Sequence, residues 1–255
     1  MKKYMLILFP ALLAANTCRE TNYPDAGPNN ELQNKLTHQQ EEQGWILLFD
    51  GQTTKQWRGY NRTCLPTVWR VVDGKLHCVG ADQREAEGLI SGDIVFDKKF
   101  SDFELSLEWK ISPGGNSGIF YLAQELPDFT IWQTAPEMQI LDNQLHSDGQ
   151  ESKHRAGALY GLFGVRKDLP RPVGEWNHAR IRVYRGKVEH WLNGRRVVRF
   201  NIWTNRWNEL VANSKFPAYN PSWADVAREG YIGLQDHGHD VWFRNIKIRK
   251  LKPPA

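Results

Sequence analysis

Apolar and polar residues alternate with a period of two along much of the chain, and this alternation predicts β-strands rather than helices. In FELSLEWKIS one face of the predicted strand is apolar throughout, formed by Phe103, Leu105, Leu107, Trp109 and Ile111. The dipeptides Asp73-Gly74 and Asn193-Gly194 each stand between two such runs and are typical of tight hairpin turns. Repeated short strands with few helical patterns predict an antiparallel β-sandwich.

Further runs read as strands: WILLFDG, TVWRVVDGKLHCVG, SGIFYLA, PEMQILDN, HARIRVYRG, KVEHWLNGRRVVRF, GYIGLQDHG and VWFRNIKIRK. Two long irregular insertions, roughly 143–175 and 201–228, interrupt this pattern. Long insertions in a compact domain often carry function, so both are candidates for the walls of a site.

The N-terminus, MKKYMLILFPALLAANTC, has two lysines followed by an apolar run from Tyr4 to Ala15 that is too short to span a membrane. Residues 1–18 therefore read as a signal peptide, and Cys18 is a candidate lipidated cysteine. Asn16 and Thr17 depart from the small residues that usually precede such a cysteine. We expect export to the periplasm or outer membrane, with membrane contact only through a lipid anchor.

Residues 19–43 are polar and predict a flexible tether that ends in a short helix over Thr37 to Gln43. Thr37 and Gln40 have the spacing of a capping pair at its start. Residues 44–252 then form the predicted sandwich domain.

The composition narrows the possible partners and the cysteine chemistry. The chain has 255 residues, 40% of them apolar, and its 33 basic and 29 acidic residues are interspersed. No basic run is interleaved with aromatic residues, which argues against nucleic-acid binding. In an oxidising compartment Cys64 and Cys78 form either a disulfide or two separate thiols, and the sequence leaves both open.

The stretch EMQILDN places two polar residues on one face of an otherwise apolar strand. Glu137 and Gln139 share that face, whereas Met138 and Ile140 share the other. The polar pair is either a solvated sheet face or the floor of a site.

Seven blocks of the sequence, between about Leu36 and Leu251, resemble in order those of the 3-keto-disaccharide hydrolase family. The blocks are LTHQQEEQGWILLFDGQTTKQW, LEWKISPGGNSGIFY, EMQILDN, GALYG, GEWNHARIRV, VEHWLNGRRV and GYIGLQDHGHDVWFRNIKIR. The resemblance implies a concanavalin-like jelly roll, all-β, of two curved antiparallel sheets with a sugar site on the concave face. It also implies cleavage of glycosides that are oxidised at C3 of the sugar.

A ketone at C3 acidifies the proton at C2, so a base can remove that proton and the group on C1 can leave by elimination. Such a site needs a base near C2, a positive group or metal at the enolate oxygen, and a proton donor for the leaving oxygen. A carbohydrate substrate of this kind also implies a sugar 3-oxidoreductase that produces it.

Alternation puts polar residues of several strands on the faces expected to be concave, and if these faces coincide, one groove collects them. The expected catalytic residues are Glu137 as general base or metal ligand, His237 as a second base or acid, and Glu108. The expected substrate-binding residues are Gln139, Lys110, Gln235, Trp242, Arg244 and, from the PGGNSG turn, Asn116.

Each assignment has a plainer alternative. Glu137 can be a satisfied sheet carboxylate, and Glu108 with Lys110 a surface ion pair. Arg244 can simply pair with one of the two glutamates. His146 and His154 lie in the first insertion and have only a weak claim to reach the groove.

No cofactor is firmly implied. A divalent metal ion is a hypothesis, with Glu137, His237 and His239 as candidate ligands, although their spacing is not a strong metal signature. Two other classes of protein stay open beside the enzyme: a non-catalytic carbohydrate-binding module that uses Trp242, and a structural lipoprotein.

Overall fold

The computed structural model describes residues 33–252. Its strands are β1 (Trp45–Leu47), β2 (Trp57–Gly59), β3 (Trp69–Val72), β4 (Lys75–Cys78), β5 (Ile94–Phe100), β6 (Phe103–Ile111), β7 (Asn116–Ala123), β8 (Glu137–Leu141), β9 (Asn177–Tyr184), β10 (Lys187–Leu192), β11 (Arg195–Asn201), β12 (Gly230–Leu234) and β13 (Val241–Lys250). Its α-helices are α1 (His38–Glu42), α2 (Ala81–Glu87) and α3 (Asn205–Ala212), and short 3-10 turns cover Ile131–Gln133, Ser147–Gln150 and Phe216–Ala218.

These strands form two antiparallel sheets. The larger sheet has eight strands, in the order β11-β10-β9-β6-β13-β4-β3, with β1 also paired to β13. The smaller sheet has five, in the order β2-β5-β12-β7-β8. Every recorded strand pair within them is antiparallel. The predicted antiparallel β-sandwich is confirmed.

The core lies between the inner faces of the two sheets. The apolar face of β6 is buried as predicted, and it packs in the same cluster as Ile119 and Tyr121 of β7 and Met138 and Ile140 of β8. Burial of this apolar surface is the main force that holds the sheets together. The polar residues that alternate with these core residues must therefore face outward, on one side of the sandwich or the other.

One polar pair crosses the core. Tyr121 Oη lies 2.8 Å from His190 Nε2, and His190 Nδ1 lies 3.1 Å from the Gly157 carbonyl oxygen. The carbonyl can only accept, so Nδ1 carries the proton and Nε2 accepts from the tyrosine. Complete burial lowers the pKa of His190 to about 4, so this imidazole is neutral in the folded protein.

The local predictions at the turns and at the first helix are confirmed. Hairpins connect β3 to β4 and β10 to β11 at the two predicted turns. Thr37 and Gln40 form a reciprocal capping box at the start of α1. The strands β2 and β5 and the helices α2 and α3 were not predicted.

Asn34 binds the domain directly, so the end of the predicted tether is fixed to the sandwich. Its backbone N–H donates to Asn245 Oδ1 at 2.7 Å, and its side-chain amide donates to the Gly74 carbonyl at 2.7 Å. The predicted signal peptide, Cys18 and residues 19–32 lie outside the described residues. No helix within 33–252 has the length and hydropathy needed to cross a membrane.

The possible disulfide between Cys64 and Cys78 is wrong. Cys78 is a buried free thiol at the end of β4. Its Sγ lies 3.6 Å from Asp236 Oδ1, and burial followed by the Asp236 charge holds the pKa of the thiol well above its ordinary value.

Candidate functional site

A cavity of about 230 Å³ opens on the outer face of the five-stranded sheet. Strands β7 and β8 provide its floor and the segment after β12 provides one side. The 3-10 turn Ile131–Gln133 and both insertions provide the rest of the wall. The lining residues are Asn116, Trp132, Glu137, Gln139, Tyr160, Lys215, Tyr219, Gln235 and His237.

Glu137, at the start of β8, is 7% exposed. In the orientation that satisfies both ends of the Gln139 amide, its nitrogen donates to Glu137 Oε1 and to the Ser117 carbonyl, each at 2.9 Å. Oε1 is thus occupied as an acceptor, which leaves Oε2 to carry a proton. Gly118 of β7 makes room for this carboxyl, because a Cβ there would overlap Oε1.

The environment of Glu137 favours its protonated form. Burial raises its pKa to about 8, the nearby Asp93 adds to this rise, and Lys215 opposes it. At neutral pH most Glu137 side chains are therefore neutral carboxylic acids that can donate a hydrogen bond or a proton.

His237 is shifted in the opposite sense. Burial, and then the neighbouring His146, lower its pKa below the ordinary value. The imidazole is therefore unprotonated at neutral pH and can accept a proton. A buried acid with a raised pKa in the same cavity as a histidine with a lowered pKa is a typical pairing of general acid and general base.

The segment that carries His237 is held from below by Asp236. Asp236 accepts from Arg84 of α2 at 2.5 Å, and from the backbone N–H groups of Gly92 at 2.9 Å and Gly238 at 3.1 Å. The Asp236 side chain is almost completely buried. Three donors from three parts of the chain thus fix the Asp236 carboxylate, and with it the backbone next to His237.

The two insertions bring a cation and a phenol to the cavity. Lys215 Nζ, from the second insertion, lies 3.4 Å from the Tyr160 hydroxyl of the first and 4.4 Å from the centre of its ring. Burial, with the charges of Asp148 and Glu137, raises the pKa of Tyr160 to about 12, so the phenol keeps its proton.

Aromatic rings and one unpaired acceptor complete the wall. Trp132 and Tyr219 meet edge to face, with ring centres 4.8 Å apart. Gln235 Oε1 is buried without a hydrogen-bond partner. A buried unpaired acceptor is costly, and a hydroxyl group of a bound ligand would satisfy it.

The structure brings together five of the predicted site residues and separates the other four. Glu137, Gln139, Gln235, His237 and Asn116 line one cavity as expected. The prediction that Glu108, Lys110, Trp242 and Arg244 share this groove is wrong. Strands β6 and β13 belong to the eight-stranded sheet, so these side chains lie on the opposite outer face of the sandwich.

On that face the four residues contact one another or nearby groups. Arg244 donates to Glu108 at 2.5 Å, so the plainer alternative for Arg244, an ion pair with one of the two glutamates, is the one that the structure shows. Lys110 Nζ lies 4.3 Å from the ring centre of Trp242 rather than pairing with Glu108. Trp242 in turn stacks on His77 with ring centres 4.7 Å apart.

Both insertion histidines lie near the cavity. His146 Nε2 is 3.5 Å from the Asn116 amide, and its ring centre is 6.4 Å from that of His237 and 5.9 Å from that of His239. His154 stacks on Tyr160, a lining residue of the cavity, with ring centres 4.6 Å apart.

The candidate metal ligands do not form a recognisable coordination set. Within residues 33–252 no group of three or more His, Cys, Asp or Glu side chains is arranged to hold a metal ion. Glu137 and His237 both line the cavity, whereas His239 does not.

Four lining residues were missed by the sequence reading: Trp132, Tyr160, Lys215 and Tyr219. Three of them lie within the two insertions that were marked as functional, and Tyr160 belongs to the GALYG block. The length and irregularity of the insertions indicated that these segments matter. An irregular segment has no periodic pattern, however, so the sequence does not show which of its side chains face the cavity.

The sequence and the structure of this chain are similar to those of known proteins. Residues 44–249 match the family model of the 3-keto-alpha-glucoside-1,2-lyase-like domain. The chain belongs to this family. A 3-keto-disaccharide hydrolase from Bacteroides thetaiotaomicron is 40% identical over 230 residues, which is 82% of this chain and 79% of the relative.

Solved structures of the same fold agree with this membership. A Parabacteroides distasonis protein whose name proposes a glycosyl hydrolase superposes with a TM-score of 0.76 at 30% identity, covering 86% of this chain and all of the other. A second protein from that organism, with the same kind of name, gives 0.59 at 27% identity over 77% of this chain and all of the other.

Proposed function

We propose that this protein is a glycoside-cleaving enzyme that acts on 3-keto glycosides, including disaccharides, by elimination across C1 and C2. The observation that carries the proposal is the opposite pKa shift of Glu137 and His237 within one cavity of the five-stranded sheet. The family membership and the name of the Bacteroides relative support the substrate class.

The neutral imidazole of His237 removes the proton from C2, and the electrons of the C–H bond form an enolate with the C3 ketone. The C1–oxygen bond then breaks, and the leaving oxygen takes the proton of Glu137. The products are an alcohol and an enone with a C1–C2 double bond. Glu137 is now a carboxylate and His237 an imidazolium.

Water completes a net hydrolysis and restores both residues. Glu137 takes a proton from the water that adds to C1, and His237 returns its proton to C2. If the enone leaves before water adds, the same residues perform a lyase reaction. The sequence predicts Glu137 as the general base and His237 as a second base or acid. We instead assign the base to His237 and the acid to Glu137, because burial favours the neutral form of each group at neutral pH.

Lys215 is the positive group that such a reaction requires at the enolate oxygen. It approaches the cavity beside Tyr160, and its charge is felt at Glu137. Gln235, with its unpaired acceptor, and Asn116 are placed to bind sugar hydroxyls. Trp132 and Tyr219 provide apolar ring surface for the sugar.

The decisive experiment is turnover of a 3-keto glucoside with a chromogenic leaving group, beside the unoxidised glucoside. Cleavage of the keto substrate alone is expected. Cleavage of both would favour ordinary two-carboxylate hydrolysis. A chelator arm tests the metal hypothesis for Glu137 and His237, since loss of turnover with chelator and recovery with metal would establish an ion.

Two glutamate variants place the chemistry in the cavity. Glu137→Gln should lower kcat by about 10²–10⁴-fold, the usual contribution of a general acid, while KM changes little. Glu108→Gln, the same change on the opposite sheet, should leave turnover within about twofold. Sugar binding without turnover in the wild-type protein would instead indicate a non-catalytic carbohydrate-binding module.

The setting is also part of the proposal. A 3-keto substrate must come from an oxidoreductase that oxidises the C3 hydroxyl of a glycoside. The apolar N-terminal run and Cys18 support export and lipid anchoring of the enzyme.

A further inference from the structure

The outer face of the eight-stranded sheet is strongly basic. Its carboxylates Glu104 and Glu189 each meet more than one cation. Glu104 pairs with Arg180 at 3.3 Å and Arg249 at 2.7 Å, and Glu189 lies within 3.9 Å of cations on β10 and β11. With the Glu108–Arg244 pair, three carboxylates face six cations. Further lysines, including Lys110 and Lys247, lie on the same side by strand alternation. We call this surface the basic face.

Neighbouring positive charge disfavours the charged form of one lysine of the basic face. Desolvation, and then the neighbouring cations Lys75 and Arg244, lower the pKa of Lys110. An anion that approached these groups would relieve this repulsion, so the face is electrostatically suited to a negative partner.

Aromatic rings lie among these cations. Arg180 lies 4.0 Å from the ring centre of Trp191, Arg244 lies 4.0 Å from that of Trp176, and Arg249 lies 4.9 Å from that of Trp45. Cations stacked on rings across several strands form a broad array rather than a groove that follows one polymer chain. Tryptophan with arginine and lysine is also the usual composition of surfaces at the boundary between membrane and water.

The chain joins the domain at this same face. Asn245, in a bulge of β13, accepts from the backbone N–H of Asn34 at 2.7 Å and donates to Glu108 at 3.1 Å. Whatever precedes Gln33 is therefore covalently attached beside the basic face. That preceding segment contains the apolar run from Tyr4 to Ala15.

We propose that the basic face binds the anionic headgroups of a lipid bilayer. The N-terminal attachment point and the positive charge would both bring this face towards an anionic bilayer. A polybasic surface strengthens the weak membrane binding of a single lipid or apolar anchor. The cavity that contains Glu137 lies on the other outer face of the sandwich, so a protein bound in this way presents the cavity to the solution.

The test is binding of the full chain to vesicles of phosphatidylcholine alone and of phosphatidylcholine with 30% phosphatidylglycerol, measured by co-sedimentation at low and at high salt. The apolar N-terminal run contributes equally to both compositions, so the informative quantity is the ratio of the two affinities. We expect this ratio to be large at low salt and to fall towards one at high salt.

A charge-matched pair of variants locates the effect. Arg182→Gln with Arg196→Gln and Arg199→Gln removes three cations from the basic face. Arg182 lies opposite Glu189 on the neighbouring strand β9, and Arg196 and Arg199 are the β11 cations near Glu189. Each loss should weaken binding to the anionic vesicles about fivefold. Lys98→Gln with Lys167→Gln and Arg206→Gln removes three exposed cations elsewhere. This control should keep the wild-type ratio, and both proteins should keep wild-type turnover.

Either of two results would overturn the proposal. One is an equal loss of anionic-vesicle binding in both triple variants, because then only net charge matters. The other is a wild-type protein that ignores phosphatidylglycerol but binds dextran sulfate through the basic face, because its partner would then be an anionic polysaccharide. Circular dichroism confirms that both variants are folded, and neither result depends on the proposed reaction.

Discussion

Glu137 and His237 line the same cavity, yet burial shifts the pKa of each in the direction that removes its charge. The low dielectric around the cavity favours neutral forms of both groups. A neutral carboxylic acid and a neutral imidazole are the forms needed to begin the proposed elimination, so one physical cause, burial, would prepare both groups.

The dependence of kcat/KM on pH should therefore be bell-shaped. Activity is lost as pH falls through the pKa of His237, below its ordinary value, because the base becomes protonated. Activity is lost again as pH rises through about 8, because Glu137 loses its proton. Steady-state rates between pH 5 and 9.5 measure both limbs.

The variant Lys215→Met assigns the basic limb. Lys215 lowers the pKa of Glu137, so its removal should move that limb to higher pH, whatever happens to the height of the curve. A basic limb that stays in place would separate it from Glu137.

Gly118 is the residue that gives Glu137 its position. In Gly118→Ala the new methyl would overlap the Glu137 carboxyl and displace it from Gln139. We expect kcat to fall by at least tenfold, with a loss of stability of about 1–3 kcal/mol from overpacking. Kinetics and chemical denaturation measure the two effects, and a fully active Gly118→Ala would show that Glu137 needs no fixed position.

At the scale of whole elements, alternation within a strand was predictable and the partner sheet was not. Both EMQILDN and FELSLEWKIS have the faces that their sequences indicate. A period of two shows that Glu108 and Glu137 both point away from the core, but not that β6 and β8 lie in different sheets. That assignment depends on long-range pairing, which no local pattern contains.

The unpredicted helix α2 has a similar explanation. Its sequence, ADQREAE, buries no residue, so it carries no apolar stripe for a periodicity argument to detect. Its role is instead electrostatic, because Arg84 reaches the buried Asp236 beside His237. The resemblance to a family supplied the fold, but this contact became visible only in three dimensions.

Removing this contact should affect both stability and catalysis. Arg84→Met leaves the Asp236 carboxylate buried without its cation, which should cost about 3–5 kcal/mol of unfolding free energy and release the segment that carries His237. The second ion pair of α2, Arg70 with Glu87 at 2.7 Å, is partly exposed.

Arg70→Met is therefore the control, with only a small expected loss of stability and unchanged turnover, because solvent screens this exposed pair. Urea denaturation gives the free energies, and kcat/KM gives the catalytic effect. Equal behaviour of the two variants would mean that the Arg84 contact has no special part in the site.

At the scale of the whole molecule, the sandwich puts the cavity and the basic face on opposite outer faces and joins them through a core that contains a histidine. The folded state holds His190 neutral with a pKa of about 4, whereas an unfolded chain protonates it near 6.5. Its contribution to stability is present above pH 6.5 and is lost as pH falls through 4.

The free energy of unfolding of the wild-type protein, relative to that of His190→Gln, should consequently fall by about 3 kcal/mol as the pH is lowered from 6.5 to 4. The comparison with the variant is necessary because Glu137, whose pKa is raised by folding, stabilises the protein as the pH falls over part of this range. This effect is common to both proteins and cancels in the difference. Denaturant melts at several pH values measure it. A difference that does not vary with pH would contradict the assigned neutral state of His190.

The buried thiol of Cys78 makes the opening of the region around Asp236 measurable in solution. Its sulfur lies behind the Asp236–Arg84 contact, so a thiol reagent reaches it only when that region opens. The rate of thiol labelling in the intact protein then reports how often the segment around His237 opens. A bound sugar that stabilises this segment should lower the labelling rate without any mutation.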